Sequence, residues 1–243
     1  MGKLGVIGGM GPMATVYFME LIVKMTKAAC DSEHLEMIVY NVPTIPDRTQ
    51  YILGESDESP LPCMLEIANK LKEQKVECVA IPCMTAHYFH DKLVEVGAPV
   101  IHGIRATAMT LKNAGVTRVG IMATDGTISS GIFQREIENA GMEAVIPGKM
   151  QQKEVMNMIY EDIKAGRMPT ASRFHALKEY FINEKGAQAV VLGCTELSLL
   201  KKAYDLGEGV IDTLDVLAKT AITACGKEIN PEYETLFVPY GEN

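Results

Sequence analysis

Basic excess, metal-binding spacings and long apolar runs are all missing from this chain. Lys and Arg number 23 against 31 Asp and Glu, a net charge of −8, so general attraction to nucleic acid is not expected. No apolar run approaches the about 20 residues that a bilayer span needs. The opening Met1-Gly2-Lys3 leads straight into the strand-like Leu4-Gly5-Val6-Ile7, without a charged-then-apolar leader. A cytoplasmic protein with no membrane contact is the expectation. Neither CxxC nor HExxH occurs, so no metal ion is expected. No Walker-type GK[ST] occurs, and the first Gly-rich segment reads Gly8-Gly9-Met10-Gly11, which speaks against a nucleotide-binding loop. Without an export signal, the cysteines at 30, 63, 78, 83, 194 and 225 are expected as free thiols.

What the chain does have is a pattern written twice. Its 243 residues are 47% apolar and 22% charged, enough to bury one large core or two small ones. Lys3 to Ile7 opens into Gly8-Gly9-Met10-Gly11-Pro12, and Arg118 to Met122 opens into Ala123-Thr124-Asp125-Gly126-Thr127. Glu36 to Tyr40 is echoed by Met142 to Ile146. Val76 to Ile81 leads into Pro82-Cys83-Met84-Thr85, as Gln188 to Leu192 leads into Gly193-Cys194-Thr195-Glu196. Ala98 to His102 is matched by Glu208 to Asp212. The two cysteines lie 111 positions apart and Ile101 and Ile211 110 apart, so order and spacing both repeat.

Between these runs lie helix-like stretches at 61–73, 109–114, 131–140 and 170–184. Short continuous apolar runs alternating with longer amphipathic segments predict βα units and parallel sheets. The fold class expected is α/β, as two similar halves at 1–105 and 106–208. Each is a mainly parallel sheet flanked by helices. Residues 209–243 are expected to complete the first half or to continue the second. Ligands of open α/β sheets bind beyond the carboxyl ends of the strands. The cleft between the halves is therefore the expected active site.

Cys83 and Cys194 both fall at such strand ends. A cysteine ahead of a helix start sits in positive potential that favours thiolate. One thiolate and one thiol on opposite faces of an α-carbon can move its proton in either direction. Matching placement in both halves sets these two apart from Cys30, Cys63, Cys78 and Cys225, which are read as packing residues.

The same residues resemble a known family. Gly8-Gly9-Met10-Gly11-Pro12 with Ala14-Thr15, then Ile45-Pro46-Asp47-Arg48-Thr49 with Tyr51-Ile52-Leu53-Gly54, resemble the aspartate racemases of the Asp/Glu racemase superfamily. So do Pro82-Cys83-Met84-Thr85-Ala86-His87, Ile159-Tyr160-Glu161 with Lys164-Ala165-Gly166, and Gly193-Cys194-Thr195-Glu196. The resemblance spans residues 3 to 222. It implies Cys83 and Cys194 as catalytic bases, no pyridoxal phosphate or metal, and Arg48 and Lys164 on the substrate's side-chain carboxylate. A guanidinium suits that task through paired N–H donors, and lysine adds a point charge.

By position and loop logic, Met84, Thr85, Thr124 and Thr195 offer donors to the α-carboxylate as negative charge builds there. The three threonine hydroxyls could equally cap helices. Met10 is expected to line the cleft, and His87 is read as structural. The expected partner is a small acidic amino acid, and the expected assembly a homodimer. Met84 departs from the family, which has asparagine directly after the first cysteine, and so opens the question of substrate. Glutamate racemases carry histidine in place of Glu196 and open with Asp-Ser-Gly. Maleate isomerases, arylmalonate decarboxylases and hydantoin racemases are further relatives, and a non-catalytic binder of acidic amino acids is the reading outside enzymology.

Overall fold

The short apolar runs become strands buried on both faces. Leu4–Gly8 (β1) has every residue buried, as expected where helices cover both sides of a parallel sheet. The computed structural model describes residues 2–241. In it, β1 lies between Met37–Asn41 (β2) and Cys78–Ala80 (β3), parallel to both. Leu4 is in register with Met37 on one side and Cys78 on the other. Val100 adds a parallel bridge to Val79 on the far side of β3. The second sheet comprises Arg118–Met122 (β4), Glu143–Val145 (β5), Ala189–Leu192 (β6) and Val210–Asp212 (β7). Its order is β5-β4-β6-β7, all parallel. With the Val100 bridge counted, the first sheet repeats that order strand for strand, and the α/β architecture is the one the duplicated pattern predicts.

Helices occupy the predicted amphipathic stretches at Leu61–Glu73, Gly103–Asn113, Ile132–Asn139 and Ala171–Glu179. One face of the first sheet, including Leu4, Val6 and Ala80, packs with Phe18, Ile104 and Leu217 in a core continuous with that of the second half. Its other face, including Ile7, Val79 and Ile81, is covered by Met64, Ile67 and Leu71. Cys78 and Cys225 sit in the shared core with their sulfurs 3.5 Å apart. Among the described residues, no helix is long and apolar enough to cross a membrane.

The segment after residue 208 makes contact with both halves. β7 extends the second sheet beside β6. The Thr213–Ala224 helix then crosses to pack on Pro12–Met25 and Gly103–Asn113. Beyond it, Lys27 N–H donates to Glu228 O at 2.9 Å and Asn230 N–H to Met25 O at 2.8 Å, which stitches the chain to the first half. Gly209 N–H then donates to Val238 O at 2.8 Å, back on the second. Met1 and residues 242–243 of the expected halves lie outside the described residues.

Candidate active site

Loops following the carboxyl ends of β1, β2, β3, β4 and β6 converge between the sheets. The loop after β1 depends on Gly9, whose φ is +97° and where a Cβ would meet the Val42 backbone at 2.3 Å; only glycine fits there. Thr15 secures the same loop, its hydroxyl accepting from Gly9 N–H at 2.9 Å and donating to Gly11 O at 3.1 Å. Cys83 follows β3, and Cys194 follows β6; they are 6% and 5% exposed. Each leads into a short 3-10 turn, Thr85–Phe89 and Leu197–Lys202. The first of these runs on directly into the α-helix His90–Glu95, while the second ends at Lys202 without one.

The two thiols stand in different surroundings. Cys194 Sγ donates to Glu196 Oε2 at 2.9 Å. Burial, then the Glu196 carboxylate, push the Cys194 thiol well above its ordinary range, against a smaller pull from Lys164. The expected drift toward thiolate is thus reversed here. Cys83 instead has the Arg48 guanidinium beside it. Burial opposes the charge on Arg48, but Cys83 and Asp47 outweigh that and hold its pKa above the usual value.

Arg48 opens the helix Arg48–Leu53, whose N-cap Asp47 accepts from Thr49 N–H at 2.8 Å and Gln50 N–H at 3.1 Å. Its Nη1 donates to Ile45 O at 3.1 Å and Pro46 O at 2.7 Å. Its Nε is buried and has no partner among the described residues. Lys164 comes from the turn Ile163–Ala165, with Nζ 3.7 Å from Asp47 Oδ2 and 3.7 Å from the Tyr160 ring centre. Burial opposes its charge, while Glu196, Tyr160, Cys194 and Asp47 together raise its pKa.

Threonines tie the halves together around these groups. The Thr85 hydroxyl is 3.1 Å from that of Thr124 and 2.9 Å from that of Thr127, and Thr49 donates to Thr124 at 3.2 Å. Thr195 Oγ1 donates to Pro82 O at 3.2 Å, joining one cysteine loop to the other. All nine residues singled out from the sequence (Met10, Arg48, Cys83, Met84, Thr85, Thr124, Lys164, Cys194 and Thr195) line one chamber of about 260 Å³. The space left between their side chains admits about one water molecule. A larger cavity of about 900 Å³ adjoins it, sharing Asp47, Arg48, Lys164 and Glu196 as a common wall.

The profile of the Asp/Glu/Hydantoin racemase family matches residues 7–221. The chain belongs to that family. Within it, the structure of the Picrophilus torridus aspartate racemase aligns at a TM-score of 0.81 and 31% identity, covering 96% of this chain and 98% of that one. The broad specificity amino-acid racemase RacX of Bacillus subtilis (strain 168) is 25% identical over 227 residues, 90% of this chain and 96% of RacX. The glutamate racemase of Francisella tularensis, solved with D-glutamate, shares the fold at a TM-score of 0.64 and 22% identity, over 91% of this chain and 80% of its own. This racemase is accordingly an enzyme of the amino-acid racemase type.

Four residues that the sequence did not mark as site residues also line the racemase chamber: Asp47, Thr49, Tyr160 and Glu196. Three of them had a local signal. Asp47 is the N-cap that presents Arg48, and Tyr160 lies one helical turn before Lys164. Glu196 is two residues past Cys194, within reach of its sulfur. The hydroxyl of Thr124 both caps the Asp125–Ser130 helix, accepting from Thr127 N–H at 3.3 Å, and faces the chamber. Met84, also on the chamber lining, is 1% exposed and belongs to the shared core.

Proposed function

We propose that this protein racemises an acidic amino acid without a cofactor, aspartate ahead of glutamate, by a two-thiol proton transfer between Cys83 and Cys194. One observation carries the reading. Two buried cysteines from equivalent loops of a duplicated fold border one chamber, together with a buried Arg48 whose Nε lacks an acceptor. An unpaired buried guanidinium N–H is costly, and a substrate carboxylate would satisfy it.

In this reading Cys83, as thiolate beside Arg48, removes the α-proton from one face. Cys194, held as a thiol by burial and Glu196, returns a proton to the other. The opposite enantiomer runs the same steps backwards, from a Cys83 thiol and a Cys194 thiolate. Arg48 and Lys164 hold the side-chain carboxylate. Met84 and Thr85 N–H, with Thr124 and Thr195, face the α-carboxylate as charge builds on it, while Met10 packs against the substrate. The similarity to the P. torridus aspartate racemase supports aspartate as substrate. A homodimer in the cytoplasm belongs to the same reading, on the strength of the family resemblance.

The test is NMR of the purified, reduced protein in D2O with L- and D-aspartate, with glutamate alongside. Deuterium entering Cα of both aspartate enantiomers supports the reading; aspartate left intact at millimolar enzyme-to-substrate excess defeats it. A second reading, racemisation across a wider range of amino acids, has its own observation. The adjoining cavity is lined by Met13, Ile45, Ile163 and Leu199, and RacX, of broad specificity by name, is similar along almost all of the chain. Exchange into leucine or methionine at rates near that of aspartate would favour it.

A further inference from the structure

His87 is 3% exposed and stands behind the Cys83 loop. Its Nδ1 lies 3.1 Å from the carbonyl oxygen of Cys83, and its Nε2 accepts from Gly103 N–H at 3.1 Å. Because the Gly103 amide can only donate, Nε2 carries no proton in this arrangement. The proton is therefore on Nδ1 and is donated to the Cys83 carbonyl. Burial first, and His102 next, push the pKa of His87 down to about 3, so the ring stays neutral. His90 and His102 pack against it, with ring centres 6.4 and 5.6 Å away.

We propose that His87 is a positioning residue for the Cys83 loop, a strut between the Cys83 carbonyl and the start of the Gly103–Asn113 helix that aims the Met84 N–H into the chamber. In a trans peptide the C=O and the following N–H point in opposite directions. The Cys83 carbonyl is held back by His87 and by Ala86 N–H, which donates to it at 3.2 Å, and this turns the Met84 N–H the other way. The Met84 side chain anchors the same peptide from behind. A methyl group added at Gly103 would lie 3.3 Å from His87 Nε2 and 3.6 Å from Met84 Cε, so strut and anchor meet at one glycine. This placement also explains how methionine can stand where the family has asparagine: position 84 serves the chamber through its amide. The inference rests on the racemase reading above for its catalytic consequence, though not for the strut itself.

Two single substitutions separate the arms of the strut. His87→Asn keeps an N–H near the position of Nδ1 and gives up the Gly103 contact; His87→Gln keeps an acceptor near Nε2 and gives up the Cys83 contact. Each loses one buried hydrogen bond, so a purely structural role would affect both alike. The expected result is a kcat within about threefold of wild type for His87→Asn, and a loss of about tenfold or more for His87→Gln, with KM changing less than about threefold. Equal losses in the two variants, or none in His87→Gln, would overturn the proposal. Alkylation of Cys83 by iodoacetamide, mapped by peptide against Cys194, gives a readout that needs no substrate. His87→Gln should change the Cys83 rate about threefold or more relative to Cys194, and unchanged ratios in both variants would count against the strut even if aspartate proves not to be the substrate. Should His87→Gln fail to fold, 15N shifts of the wild-type imidazole decide the matter. A neutral Nδ1–H ring from pH 5 to 8 is expected, and an Nε2–H or cationic ring overturns it.

Discussion

The two ends of the chamber occupy equivalent places in the two halves and differ in charge. At the first, Cys83 follows β3 and faces Arg48, a buried cation with an unpaired Nε. At the second, Cys194 follows β6 and donates to Glu196, a carboxylate only 6% exposed. A duplicated scaffold supplies thiols in equivalent positions, but it does not supply the one-ionised, one-protonated pair that proton transfer across an α-carbon requires. What differs between the halves is the charge beside each thiol, a cation at Cys83 and a carboxylate at Cys194. Arg48 comes from a helix start with Asp47 as its cap, and Glu196 from the turn after the second cysteine. Symmetry of position and asymmetry of charge have separate sources in the sequence.

The largest effects should come from removing either thiol. Cys83→Ala and Cys194→Ala should each lower racemisation of aspartate by about a thousandfold or more, since each step needs both an acid and a base. Chiral analysis of aspartate under reducing conditions measures this, and a variant retaining a tenth of wild-type activity would break the comparison at its root. Next comes Arg48→Met, which removes the cation at the Cys83 end. A charged hydrogen bond to a carboxylate contributes about 1.5–3 kcal/mol, so kcat/KM for aspartate should fall by about 10- to 100-fold. An apolar amino acid, if accepted, should lose far less. Equal losses on both would show that Arg48 acts on Cys83 alone and not on the substrate.

The sequence made the scaffold legible because parallel strands buried on both faces leave continuous apolar runs. Val76 to Ile81 and Gln188 to Leu192 end in the two cysteine loops, and both runs form strands that place them. Side-chain direction was not legible. Met84 stood out in the sequence only as a departure from the family pattern, and its place in the core came from the fold. The direction of a side chain at a strand end depends on what packs behind it, here Gly103 and Leu217, some 20 and 130 residues onward. Glu196 served only to distinguish relatives, since a Cys-x-Glu spacing says nothing of the turn that folds carboxylate onto sulfur. Tyr160 sits in the wide-turn segment Asn157–Asp162, where regular helical periodicity fails. The sequence left open which half residues 209–243 join, because an amphipathic helix does not say which half its apolar face will meet.

Glu196→Gln tests the charge at the second end with a smaller effect and a definite sign. The Cys194 thiol is raised by burial and by Glu196, so removing the carboxylate's charge should lower its pKa. In the direction where Cys194 acts as acid, rate is lost as pH rises through that pKa. The alkaline limb of the kcat profile should therefore move to lower pH in Glu196→Gln. In the direction where Cys194 acts as base, the acidic limb should move the same way. A profile that keeps both limbs would mean that Glu196 does not set the protonation of Cys194, and the charge asymmetry would then rest on Arg48 alone.

The smallest effect concerns what keeps the two ends facing each other. Thr195 Oγ1 donates to Pro82 O at 3.2 Å, and the residue is 1% exposed. It is a direct link between the Cys194 loop and the Cys83 loop. Thr195→Val preserves shape and removes the donor, leaving a buried carbonyl without it. The cost should be about 1–2 kcal/mol of stability, in the range for a buried hydrogen bond lost from one side. Urea unfolding measures this directly, through a lower midpoint at unchanged slope. If the link only stabilises, kcat should fall little. If it also fixes the separation of the thiols, kcat should fall more than stability alone explains while KM stays put, because misalignment weakens the transition state more than substrate binding. The second outcome would make the contact between the halves part of the chemistry, as a two-sided proton transfer requires of any group that sets the distance between its acid and its base.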